Sequence, residues 1–194
     1  MNSSIIKPGV VLLAFAAVAA ALLGYVNAIT AAPIAEQDRL TAAAAMQKVM
    51  PEAKSFDDDS VVSDTAIAVR SYNVARDEKG DIVGYAVTAA SKGYGGDVVI
   101  MVGIKADGTI NAIDVTDNSN ETPGLGANSS NDDFKSQYEG KTADKEIKVV
   151  KTPTDKDDEI QAITSATITS RAVTNSVNEV LKFYNDNLKG GGVK

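Results

Sequence analysis

Two stretches of this 194-residue chain hold the residue types from which a reactive or ligand-holding site is built. The first is Thr164-Ser165-Ala166-Thr167-Ile168-Thr169-Ser170, five hydroxyls in seven positions, placed just before an apolar stripe of helical period. Hydroxyls at a helix start have two uses. They cap the helix by accepting from its free amides, or they join those amides and the helix dipole in holding an anion such as phosphate. Capping accounts for one or two of the five, and at this level both readings stand. The second stretch is Glu121-Thr122-Pro123-Gly124-Leu125-Gly126. Pro followed by Gly makes a turn. The glycines around Leu125 would also let the backbone lie flat against a planar ligand, with Leu125 as an apolar face. A third feature, Lys92-Gly93-Tyr94-Gly95-Gly96-Asp97, is either a loop that closes over a ligand or, more simply, a bulge between strands.

What the chain lacks narrows the chemistry. It contains no Cys, no His and no Trp. Thiolate nucleophiles, disulfides and thiolate-held iron–sulfur clusters are excluded, as are imidazole bases, His-ligated haem and the usual zinc sites. No metal-ligating residue is therefore expected. A Ser or Thr hydrolase would need a base, and no Lys stands beside the hydroxyl cluster. With 19 basic and 26 acidic residues the net charge is −7, a poor balance for covering the phosphates of a nucleic acid. Redox work by this chain would have to rest on a bound organic cofactor.

These clusters need elements to position them. Pro8 to Ala35 contains no charged residue and reads as a transmembrane helix, longer than the apolar run of a secretory signal. Residues 1–35 are the expected anchor and residues 36–194 the expected outer domain. Lys7 on the near side puts the N-terminus in the cytoplasm and the remainder outside the cell membrane. The outer part holds 18 of the bases and all 26 acids, a net −8. Pro33 is expected to open a second, Ala-rich helix that stops at Pro51 and serves partly as a stalk. Ser55–Ser63 reads as a polar loop.

Strands follow at Tyr72–Ala75, Ile82–Val87, Val98–Ile104 and Ile110–Val115, joined by turns at Asp77–Gly80 and Ala106–Gly108. Together they form an antiparallel meander. Ile147–Val150 and Ile160–Ile163 are two further short strands. Val173, Val177, Val180, Leu181, Tyr184 and Leu188 line one face of a closing helix that Gly190–Gly192 ends. The class is α+β: a single N-terminal transmembrane helix, then one extracytoplasmic domain with an antiparallel sheet and packed helices.

On these residues the chain resembles a known family. Ala162-Ile163-Thr164-Ser165-Ala166-Thr167-Ile168-Thr169-Ser170 is similar to the flavinylation motif of the FMN-binding domain family, Ser/Thr-Gly-Ala-Thr-x-Thr-Ser. Glu121–Gly126 and Lys92–Gly95 resemble its other two signatures. With the N-terminal anchor, the architecture is similar to the G subunit of the Rnf complex, a membrane-bound ferredoxin:NAD oxidoreductase that pumps Na+ or H+, and to the C subunit of the Na+-translocating NADH:quinone reductase.

The resemblance implies FMN joined through its phosphate to the Thr167 hydroxyl by a separate Mg2+-dependent FMN transferase. Thr169, Ser170 and helix amides would then hold the phosphate, Ser165 and Ala166 would also border the cofactor, and Glu121, Thr122, Gly124 and Leu125 would line the ring. It also implies partners: integral membrane flavin and iron–sulfur subunits, and peripheral subunits that react with NADH and ferredoxin. The chain would be an electron-transfer subunit of a translocase with no independent catalysis. Two positions depart from the pattern. Ser165 stands where the family usually has Gly, and Gln161 where it often has Asp, with Asp158 and Glu159 the nearest carboxylates in sequence. The reading from another class is a membrane-tethered module that binds a small anion or scaffolds partners without redox function.

Overall fold

The computed structural model describes residues 3–57, 60–62 and 68–190. The chain divides into two compact units, Met1–Ala42 and Ala43–Lys194.

Helix α1 runs without interruption from Ser3 to Val49. Its apolar part has the length and composition of a membrane span. Pro33 lies inside this helix and does not open a new one. Proline removes one N–H and crowds the carbonyl four residues back. The Ala-rich flanks are strong helix formers, and apolar spans tolerate proline more readily than soluble helices do. Thr30 turns its hydroxyl inward, donating to the Val26 carbonyl at 2.9 Å.

The second unit is built on an antiparallel sheet. Its long strands are β3 (Val69–Arg76), β4 (Ile82–Lys92), β5 (Asp97–Lys105) and β6 (Ile110–Asp117), paired in chain order. Within the expected loop at 55–63, Ser55–Phe56 (β1) and Ser60–Val61 (β2) instead pair with the outer edge of β3, while residues 58, 59 and 63 lie outside the described residues. Two-residue strands in an acidic segment are a common way to finish an edge without inviting further pairing. A separate two-stranded parallel ladder joins β7 (Lys148–Val150) to β8 (Glu159–Gln161). Between β6 and β7 lie a 3-10 turn at Gly126–Ser130 and the single-turn helix α2 (Asp132–Lys135).

Register explains the core. Tyr85 faces Ile104, Val87 faces Val102 and Ala89 faces Ile100, so one face of β4 and β5 is apolar throughout. Helix α3 (Thr167–Phe183) lays Val173, Val177, Val180 and Leu181 on that face, and all four are buried. The apolar stripe read from the sequence is the stripe that packs. Aromatic edges lock its far end, where the Tyr85 and Tyr184 rings meet at 6.1 Å and Tyr184 donates to the Ala106 carbonyl at 2.7 Å. Beyond Phe183 the chain widens into a looser turn through Leu188, with the Lys189 amide reaching the Tyr184 carbonyl at 2.9 Å. Gly190 then takes a positive φ of 94°, while Gly191 and Gly192 lie outside the described residues.

The opposite face of the sheet receives the end of α1. Ala45, Val49 and Met50 are buried there, and Asn111 Nδ2 donates to the Val49 carbonyl at 2.8 Å. Asp114 on β6 joins this end to α2, pairing with Lys48 at 3.1 Å and Lys135 at 3.2 Å. The seat of α2 matters because the 3-10 turn before it leads back to the candidate site.

Candidate functional site

Helix α3 starts without a side-chain cap. Ala166 precedes it in a non-helical conformation and offers no capping atom. The amides of Thr167, Ile168 and Thr169 have no backbone partner among the described residues, because the first turn closes only at Ser170 N–H to Ala166 C=O, 3.0 Å. Those three donors stand at the positive end of the helix dipole.

The five hydroxyls divide between structure and site. Ser170 is fully buried: its Oγ accepts from the Ile163 amide and donates to the Ala166 carbonyl, both at 3.0 Å. It ties the segment after β8 to the first turn of α3. Thr169 is 1% exposed and donates to the Glu121 carboxylate at 2.5 Å. Thr164 and Ser165 are exposed. Thr167 is half-buried at the helix start, and its hydroxyl has no hydrogen-bond partner among the described residues. Capping therefore explains none of the five, and one buried tie explains Ser170.

Ser165 has φ of +62°, the one non-glycine residue among those described with a left-handed backbone. An L side chain is strained there, which is the physical reason a glycine suits this position. The Ala166 amide donates to the Ile163 carbonyl at 3.0 Å, so the left-handed residue sits in the tight turn that delivers Thr167 to the mouth.

A cleft of about 520 Å3 opens at this helix end, within the roughly 300–1,000 Å3 typical of small-molecule sites. Of the residues expected from sequence, Glu121, Thr122, Leu125, Ser165, Ala166, Thr167 and Thr169 line it. Gly124 and Ser170 do not. Gly124 turns at φ +76° and borders a neighbouring cleft of about 510 Å3, which meets the first at Leu125 and Ser165. Ser170 is consumed by its backbone bonds. Tyr94, Gly126 and Ile168 line the first cleft as well. Tyr94 belongs to the glycine loop read from sequence as a bulge. Ile168 gave a fainter signal as the one apolar side chain among hydroxyls. Leu125, Ile168 and Tyr94 are 39%, 55% and 71% exposed, an apolar rim on a polar floor.

The loop carrying Glu121 is held from within. Asn118 Nδ2 donates to the Ala127 carbonyl and to Ser129 Oγ, both at 3.0 Å, and Asn128 Nδ2 to the Gly124 carbonyl at 2.9 Å. Where β6 enters the loop, the Ser119 amide donates to Asp117 at 2.9 Å and holds that carboxyl below its ordinary range. The other carboxylates considered for the site stand elsewhere. Glu159 accepts from Lys156 Nζ and Thr154 Oγ1, each at 2.8 Å, and neither it nor Asp158 lines the cleft. Gln161 lies in the neighbouring cleft, its main chain bound to the Gln137 side chain.

Sequence comparison decides the family. Residues 1–49 match the RnfG N-terminal region and residues 93–182 match the FMN-binding domain. The G subunit of the Na(+)-translocating ferredoxin:NAD(+) oxidoreductase complex of Acetobacterium woodii is 38% identical over 192 residues, covering 93% of this chain and 91% of that protein. This chain belongs to the RnfG family. The G subunit of the ion-translocating oxidoreductase complex of Methanosarcina acetivorans is 32% identical, over 94% of this chain and 95% of its own. The G subunit of the proton-translocating ferredoxin:NAD(+) oxidoreductase complex of Clostridium ljungdahlii is 45% identical over 100 residues, 52% of each chain.

In three dimensions the RnfG fold seen here resembles NqrC of Shewanella oneidensis, with a TM-score of 0.52 and 18% identity over 71% of this chain and 72% of that one. The FMN-binding domain match spans Gly93, Glu121 and Thr167, so all three site segments of this RnfG chain fall inside it.

Proposed function

We infer that this RnfG-family chain is an electron-transfer subunit of an ion-translocating ferredoxin:NAD oxidoreductase complex, with FMN joined through its phosphate to Thr167 Oγ. The observation that carries the reading is the Thr167 hydroxyl itself, unpartnered among the described residues at the mouth of the cleft and flanked by three free amides at a helix start. A phosphodiester there would place two oxygens that share one negative charge where N–H donors and the dipole favour them. The Tyr94–Leu125–Ile168 rim offers apolar surface to a planar ring. The residues present therefore fit the group.

Bound FMN supplies the redox chemistry that a chain without Cys or His lacks. The protein's part is to hold and orient. Thr167 would be the tether, the amides of Ile168 and Thr169 would bind phosphate oxygens, and Ser165 makes the turn that would set the tether's direction. Thr122 and Leu125, which line the cleft, would border the ring. Attachment by phosphate would leave the ring itself unmodified and would prevent loss of the cofactor to the exterior.

In this reading α1 anchors the chain in the cell membrane with its N-terminus in the cytoplasm. The outer domain then exchanges electrons with the membrane flavin and iron–sulfur subunits of the complex. A separate FMN transferase performs the attachment.

The test is co-expression of the full chain with an FMN transferase. The wild type runs as a fluorescent band on a denaturing gel and gains the mass of FMN less one water. Thr167→Val gives no band and the bare mass. A band of undiminished intensity from Thr167→Val overturns the assignment. A bare mass in the wild type favours the anion-binding module.

A further inference from the structure

We propose that Glu121 is a positioning residue, a strut whose carboxylate fixes the 93–97 loop at the rim of the cleft instead of meeting the ligand. Both of its oxygens are occupied. Oε1 accepts from the Tyr94 amide at 2.7 Å and the Gly95 amide at 3.2 Å, and Oε2 accepts from Thr169 Oγ1 at 2.5 Å. The side chain is 4% exposed, and no Lys or Arg pairs with it among the described residues. A carboxylate buried without a counter-ion is tolerated only when its lone pairs are filled by aimed donors.

The packing is close around the carboxylate, which reaches the cleft wall with only 4% of the residue exposed. A Cβ on Gly93 would strike Glu121 Oε1, and one on Gly126 would strike Oε2 and crowd Thr169 Oγ1. The backbone therefore closes on the carboxylate from two sides. Three segments distant in sequence meet on this one side chain: the loop at Tyr94–Gly95, the turn at Gly126 and the first turn of α3. The loop's own closure is one bond, Gly93 N–H to Gly96 C=O at 2.7 Å, and the Tyr94 ring is largely exposed. Glu121 thus holds the Tyr94 wall in register with Thr167.

The link to cofactor loading rests on the reading above, whereas the strut itself is tested on the bare protein. In full-length chain without flavin, amide exchange is followed at Tyr94 and Gly95, with β5 amides as the internal control. Glu121→Ala speeds exchange at those two amides roughly ten- to hundredfold, the worth of a hydrogen bond to a charged group, and leaves β5 unchanged. It also slows transferase-dependent loading. Glu121→Gln restores both, because its amide oxygen accepts from the loop and its NH2 donates to Thr169. Gly126→Ala keeps the charge, displaces the carboxylate and reproduces the loss. It carries the test should Glu121→Ala fail to fold.

Unchanged exchange in Glu121→Ala overturns the proposal. So does poor loading of Glu121→Gln with the loop still protected, because the charge would then act on the ligand directly. The expected exchange pattern in a wild type that never takes FMN keeps the strut and removes the flavin reading.

Discussion

The Thr169 hydroxyl donates to Glu121 Oε2 at 2.5 Å, joining the first turn of α3 to a loop 48 residues earlier. Both groups are buried, so neither can turn to water if the other is removed. Helix start and loop are one unit, and the cleft lies on their shared surface.

Thr169→Val keeps shape and removes that donor. The buried Oε2 then loses its partner, which costs about 1–3 kcal/mol. Chemical denaturation should show a lower midpoint with an unchanged slope. An unaltered midpoint would mean that the bond contributes nothing to stability.

Ser165 is strained by its left-handed φ of +62°. Ser165→Gly should relieve the strain and stabilise the fold by up to about 1 kcal/mol, less the greater freedom glycine has when unfolded. Ser165→Val adds a β-branch at the same φ and should destabilise by about 1–2 kcal/mol or more. Melting temperatures of the pair, ranked Gly above Ser above Val, are the check.

Asp114 lies between two ammonium groups, at 3.1 Å from Lys48 and 3.2 Å from Lys135. Asp114→Asn leaves Lys135, itself largely buried, with Asp132 alone. The expected loss is about 1–3 kcal/mol, since Lys48 is exposed and well hydrated. Equilibrium unfolding of the single variants and the Asp114–Lys135 double variant would give the coupling.

Acid should weaken the domain in a defined direction. Arg76 beside Asp57, the Thr109 amide on Asp107 and the Ser119 amide on Asp117 each hold a carboxyl below its ordinary value near 3.8. A depressed folded value gives stability that is complete above the unfolded pKa and lost as pH falls through the folded one. The melting temperature should therefore drop below about pH 4. Lys135 acts at the other end. Burial pulls its ammonium down, but Asp132 and Asp114 outweigh that and hold it above the usual lysine range. Its contribution is full below pH 10.5 and fades as pH rises further. A thermal scan across pH, repeated with Asp57→Asn, should show a smaller acid-side fall in the variant.

The sequence by itself determined the elements and the site's ingredients. The apolar span, the meander with its turns and the stripe Val173–Leu181 follow from local periodicity, which acts over a few residues and is visible in one dimension. So did the hydroxyl cluster and Glu121–Gly126. Tertiary structure alone decided how those ingredients divide. Ser170 was indistinguishable from Thr167 as a hydroxyl, yet one is sealed on backbone groups and the other opens to the cleft. Pro33 and the pairs Ser55–Phe56 and Ser60–Val61 went against their composition because a strong helix and an unpaired strand edge overrode local preference. Glu121 was legible as a site residue, but the partners of its carboxylate were not. Its donors, Tyr94, Gly95 and Thr169, lie 26 to 48 residues away, and burial and hydrogen bonding at that range are fixed only when the chain closes on itself.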